Sequence, residues 1–184
     1  IALHKEVLAA GVNPVAITDG TEDTNAYWDG GVAPSAAIID LEGCYELTSI
    51  NLVTYYGGRR YYHYEIYVSD NGLNYTKVIE KNDDIIATAE GITHEIAPIP
   101  ARYVKINMTY NSANPSVHIV ECKAYGMLLT DYIPESHWEM TKENNVGNIA
   151  LFKRCRANSN QGFAFLCTDG NTNTSWIGED YPRY

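Results

Sequence analysis

Apolar and polar residues alternate along most of the chain as far as residue 125, and the alternation predicts strands. Residues 61–69 carry it most clearly. Tyr62, Tyr64, Ile66 and Val68 fall on one side, and Tyr61, His63, Glu65 and Tyr67 on the other. A period of two is the signature of a half-buried strand. Asp70-Asn71-Gly72 is a tight-turn signal and residues 74–80 form a returning strand, so 61–80 is expected to be a hairpin. Similar reasoning predicts strands at 36–41, 47–55, 94–96, 102–108 and 117–125. No segment shows a long amphipathic helical period. Several short strands separated by turn signals point to an all-β sandwich or barrel.

The pattern then starts again. Ile1-Ala2-Leu3-His4-Lys5 returns as Ile149-Ala150-Leu151-Phe152-Lys153, and Asp19-Gly20-Thr21-Glu22-Asp23-Thr24 as Asp169-Gly170-Asn171-Thr172-Asn173-Thr174. The offsets are 148 and 150 residues (149 − 1 and 169 − 19), and a Trp follows each time, at Trp28 and Trp176. An internal repeat defines the unit of folding before any fold is assigned. Residues 1–127 read as a complete module, 128–148 as a connector and 149–184 as the truncated start of a second copy. The complete module is large enough to bury its own core; the partial copy is not. The connector contains Tyr132, Ile133 and Trp138 and is expected to be partly ordered against the first module. The chain as a whole reads as a piece of a longer multi-module protein.

A net charge of -10 argues against nucleic-acid backbones and anionic membranes as main partners. No apolar run approaches the roughly 20 residues of a membrane-spanning helix. Cys44 and Cys122 lie in the complete module and Cys155 and Cys167 in the partial one, with no metal-binding spacing. One disulfide per copy and free thiols both remain open. No zinc-protease helix, nucleophile elbow or phosphate loop occurs. His4, His63, His94 and His118 lie in the module and His137 in the connector; His63, between tyrosines on a strand, reads as structural. Catalysis is not expected. The loop 19–24 is rich in the oxygen donors that calcium prefers, with Gly20 to allow a sharp turn; an Asx-type turn without metal is the alternative.

Several stretches together resemble the discoidin, or coagulation-factor type C, domain and its bacterial galactose-binding-like carbohydrate-binding relatives. They are Ala16-Ile17-Thr18-Asp19-Gly20 with Thr24 and Trp28; Ile39-Asp40-Leu41; the run from Arg60 to Gly72; Ala101-Arg102-Tyr103-Val104-Lys105-Ile106; and His118-Ile119-Val120-Glu121 ending in Ala124-Tyr125-Gly126. They occur in the family's order. Two departures stand out. Trp28 lies nine residues after Asp19, against seven from Asp169 to Trp176, and no cysteine flanks Ile1 or Gly126, which favours the bacterial branch.

The resemblance implies a jelly-roll β-sandwich with binding loops at one end and no catalytic activity. It implies a structural Ca2+ held by Asp19, Thr24 and Glu121 with backbone oxygens from about Ala16. It implies sugar-binding loops around Tyr27-Trp28-Asp29, residues 55–59 and residues 107–116. Galactose-type glycans would meet Arg59 and Asn111 or Asn114 as polar forks and Tyr56 or Tyr110 as a ring platform, with Trp28 as a further contact. Arg60 and Arg102 read as structural. The expected function is a carbohydrate-binding module of a larger secreted or cell-surface bacterial glycan-active enzyme or adhesin, beside other modules of its parent chain. The alternatives are an adhesion module for protein or phospholipid, and a spacer without ligand. Membrane binding is disfavoured because the loops carry tyrosines, asparagines and acids.

Overall fold

The computed structural model describes residues 1–132 and Cys167. Seven strands are present among these residues: β1 (Glu6–Ala9), β2 (Trp28–Val32), β3 (Ser35–Thr54), β4 (Tyr62–Ser69), β5 (Thr76–Lys81), β6 (Ile92–Asn111) and β7 (Ser116–Leu128). A short 3-10 turn, Pro14–Thr18, is started by Pro14. All pairings are antiparallel.

Two long strands build both layers of a sandwich. The first half of β3 pairs with β1 and with the second half of β6, which continues through β4 to β5. The second half of β3 lies between the first half of β6 and β7, and β7 pairs with β2. The predicted strands at 36–41 and 47–55 are thus one strand, bent where Glu42 takes a φ of 63° and the register breaks between Asp40 and Tyr45. The predicted strands at 94–96 and 102–108 are likewise one, β6, which carries Pro98 and Pro100 through its bend. Prolines belong at bends and bulges rather than in a flat ladder interior. The expected hairpin is β4–β5, and Tyr62, Tyr64, Ile66 and Val68 are its buried face.

The core lies between the layers. Ile39, Leu47, Ile50, Ile66 and Ile106 are fully buried beside Trp28, Tyr62 and Tyr64. Each such aliphatic side chain contributes roughly 2 kcal/mol relative to exposure. Cys44 and Cys122 are both free, so this module holds no disulfide between them. Burial pushes both thiols up, which leaves them protonated and unreactive. The first connector residues pack on the module: the Leu129 amide donates to the Cys44 carbonyl at 2.9 Å, and the Tyr132 hydroxyl to Asp70 Oδ2 at 2.9 Å. The rest of the connector and, apart from the exposed Cys167, the start of the second copy lie outside the described residues.

Candidate functional site

Three connections gather at one end of the sandwich: residues 33–34 between β2 and β3, 55–61 between β3 and β4, and 112–115 between β6 and β7. They cross between layers there, so the Ala33 amide reaches the Pro115 carbonyl and the Ser112 amide the Tyr61 carbonyl. Residues 19–27 join them, because the Tyr56 hydroxyl donates to the Glu22 carbonyl at 2.9 Å.

Strand alternation decides what β2 offers this end. Trp28 points inward, is 0% exposed and donates its Nε1–H to the Ala10 carbonyl at 2.7 Å. Gly30 leaves room for the Trp28 ring, since a Cβ there would meet it at 2.5 Å. Trp28 is therefore core, and its expected role as a sugar contact is corrected. Its neighbours Tyr27 and Asp29 face the other way, onto His118 of β7. The Tyr27 ring stands edge-on to Tyr55 at 5.0 Å and to His118 at 5.3 Å, with Tyr55 and His118 5.8 Å apart.

Arg60 completes the cluster. Its guanidinium lies 4.8 Å from the Tyr55 ring centre and its Nε–H donates to the Gly57 carbonyl at 2.6 Å. A cation over a ring face contributes roughly 0.5–2 kcal/mol, more as water is excluded. His118 shares a hydrogen bond with the Tyr62 hydroxyl at 3.1 Å, and its Nε2 lies 3.8 Å from Asp29 Oδ1. Burial first, then the Arg60 charge, holds the imidazole below its ordinary range against the pull of Asp29. Burial also pushes the Tyr62 phenol up to about 12, so it stays a neutral partner. The result is a mixed patch with the rings of Tyr27 and Tyr55, the planar guanidinium of Arg60 over the Tyr55 ring and the carboxylate of Asp29. Ring faces match the apolar side of a pyranose, and forks match its vicinal hydroxyls.

The other expected residues are distributed differently. Arg59 is exposed at the loop tip, at a φ of 50° after Gly58 at 81°. Tyr56 is the strap to Glu22. Asn111 is 5% exposed, and its side chain closes its own loop: Nδ2 donates to the Ser116 carbonyl at 2.6 Å and to Asn114 Oδ1 at 3.1 Å, while Oδ1 accepts from the Ala113 amide. That corrects its reading as a fork for sugar. Asn114 is exposed, though its Oδ1 also accepts from the Ser116 amide. Tyr110, 43% exposed, stands outside the cluster, beside Tyr61 and His63 on the outer face of β4 and β6. Sequence reasoning missed His118 and Arg60. The inward Trp28 was the available signal for Tyr27 and Asp29.

The expected metal residues lie on the flank, where Glu121 meets the loop that carries Asp19 and Gly20. The Asx turn is present, with the Thr21 amide donating to Asp19 Oδ1 at 2.7 Å. Glu121 is 2% exposed and its Oε2 accepts from the Gly20 amide at 2.9 Å. Burial, then the charges of Asp19 and Glu22, push its carboxyl up to about 7 against the opposing Gly20 amide and Lys123. Ala16 is buried and Thr24 half-buried. Among the described residues no three His, Cys, Asp or Glu side chains gather as a metal group. The residues fit a hard cation whose remaining ligands are hydroxyl and backbone oxygens, because Lys123, paired with Glu22, offsets the buried acid only in part.

This architecture is an antiparallel jelly-roll sandwich. The chain belongs to the F5/8 type C domain family, which it matches over residues 6–122. No curated protein matches it. Among solved structures it is similar to a family 89 glycoside hydrolase from Clostridium perfringens, in complex with GlcNAc-alpha-1,4-galactose. The identity is 26% and the TM-score 0.64, over 76% of this chain and 18% of that one. The chain thus spans under a fifth of that enzyme's length. It shares its fold with a pectin-binding carbohydrate-binding module (22% identity, TM-score 0.60, covering 68% of this chain and 93% of that one). It also shares it with a family 32 carbohydrate-binding module from Clostridium perfringens, in complex with GalNAc-beta-1,3-galactose (20% identity, TM-score 0.55, covering 66% and 93%).

Proposed function

We propose that this chain is a non-catalytic carbohydrate-binding module that holds a galactose-type glycan at its loop end, within a larger secreted or surface-attached bacterial glycan-active protein. The observation that carries the reading is the convergence of Tyr27, Asp29, Tyr55 and Arg60 around His118. Two ring faces, a fixed guanidinium and a carboxylate make the mixed surface a sugar requires. Nearly whole-length likeness to isolated carbohydrate-binding modules supports it. Calcium belongs to the same proposal, held by Asp19, Thr24, Glu121 and backbone oxygens near Ala16. There it would compensate a buried acid and stiffen the loop that Tyr56 ties to the binding end. The test is a glycan array probed with the purified chain. Retention on galactose- or N-acetylgalactosamine-terminated glycans is expected. Retention on none would leave the ligand-free spacer as the better account.

A further inference from the structure

The loop-end cluster leaves a second group of rings unexplained. Tyr61, His63 and Tyr110 stand together on the outer face of the sandwich. His63 and Tyr110 are cross-strand partners on β4 and β6, with ring centres 5.0 Å apart and planes inclined by 34°. Tyr61 lies 5.6 Å from His63 and 5.9 Å from Tyr110, inclined by 32° and 40°. The ladder shifts register between His63 and Tyr64, and such a bulge re-aims side chains. Further along the same face, polar groups close on one another: Glu65 accepts from Tyr67, Asn107 and Lys77. The ring group has links of its own, from Tyr61 to Tyr110 and Asp84, and stays open to solvent through Tyr110.

Its rim is held in place. Asp84 Oδ1 lies 3.3 Å from His63 Nε2 while the Asp84 side chain remains 70% exposed, which leaves acceptor capacity facing solvent. The loop bearing Asp84 is pinned from below by Lys81. That buried ammonium donates to the Tyr62 and Asp83 carbonyls and pairs with the Asp83 carboxylate. The Ala87 amide, donating to the Arg60 carbonyl, ties the same loop to the binding end. On its other side Tyr110 walls a shallow cleft of about 370 Å³, shared with Val32, Ala33 and Asn114. Arg60 and Tyr61 are consecutive, so the loop-end patch and the outer rings adjoin.

We propose that Tyr61, His63 and Tyr110, with Asp84 at their rim, form a second sugar subsite, so that the module grips a run of neutral sugars rather than one terminal residue. This rests on the glycan-binding reading above and extends it from a single sugar to a chain. Rings packed at a tilt against one another on a rigid strand pair offer an apolar surface to a pyranose with little ordering cost. The carboxylate of Asp84 accepts hydroxyls and repels uronates, so the favoured chain is uncharged.

Isothermal titration of the full chain separates the outcomes. The probes are galactose, glucose and mannose, the β-1,4-linked tetrasaccharide of each, and tetragalacturonate. At least one neutral tetrasaccharide should bind about tenfold or more tightly than its monosaccharide, a gain of roughly 1.4 kcal/mol. Tyr110→Ala should erase that gain and leave monosaccharide affinity within about twofold. His63→Ala should act in the same direction, and unchanged melting of both variants would exclude misfolding. Tetragalacturonate should show no comparable gain. A tetrasaccharide no tighter than its monosaccharide, or a gain untouched by both variants, overturns the second subsite and leaves the loop-end site standing. If no probe binds the parent chain and the glycan array is blank as well, the glycan-binding reading falls and the subsite with it.

Discussion

Arg60, not Arg59, brings a guanidinium to the ring cluster, and the reason lies in the two residues before them. Gly57 and Gly58 break strand register, so the alternation that places Trp28 or Tyr62 has no purchase on the two arginines. That an arginine follows the glycines was legible; which one turns inward was not. Asn111 misled for a related reason: an asparagine beside a turn satisfies its own loop as readily as a ligand. His118 was hidden because its role depends on Tyr27, Tyr55 and Tyr62, far away in the chain. At this scale Arg60→Ala should weaken glycan binding by about tenfold or more, while Arg59→Ala changes it less than about threefold. Arg60→Lys should not restore it, since an ammonium lacks the planar fork; affinity electrophoresis reads all three. Glu121 gives a prediction with a defined sign. Its carboxyl is raised in the folded state to about 7, so the folded chain binds the extra proton and stability is lost as pH rises through that value. The penalty above it is on the order of 3 kcal/mol. Glu121→Gln should therefore raise the melting temperature at pH 8 and not at pH 4. Calcium should raise it at pH 8 for the parent and leave the variant unmoved. A parent melting curve indifferent to calcium and chelator would remove the metal from the account.

The elements were most legible where they are regular. The β4–β5 hairpin followed directly from alternation and Asn71-Gly72. The two long strands were read in halves, because a bend between layers looks in sequence like a loop: Glu42-Gly43 in β3, Pro98 and Pro100 in β6. β1 is too short to show a period, and β2, with Gly30-Gly31, resembles a turn. What holds β3 and β7 in register is close backbone contact. A Cβ on Gly126 would lie 2.1 Å from the Glu46 carbonyl oxygen, which belongs to the neighbouring strand. Gly126→Ala should force β3 and β7 apart and cost about 3 kcal/mol or more. Gly31→Ala has open space and only a φ of 71° against it, and should cost about 1 kcal/mol. Chemical denaturation of the two variants measures the difference, and equal costs would show that this contact does not govern the register.

The whole module carries its own closure. The chain after β7 returns over the module through Leu129 and Tyr132 to Cys44 and Asp70. A chain ending at Tyr132 should therefore melt in one cooperative transition by calorimetry. Tyr132→Phe should lower its stability by about 1 kcal/mol, the value of one hydrogen bond. Loss of cooperative melting in the shortened chain would mean that residues beyond Tyr132 complete the fold. The proposed binding surface, too, is a property of the whole, since β2, β7 and the loop 55–61 each supply one part of it. The most direct measurement is amide and side-chain shift mapping by nuclear magnetic resonance, with isotope-labelled chain titrated with a galactose-terminated disaccharide. Saturable shifts centred on Tyr27, Asp29, Tyr55, Arg60 and His118 are the expected result. Shifts confined to the opposite end of the sandwich, around Gly72 and Glu42, would contradict it.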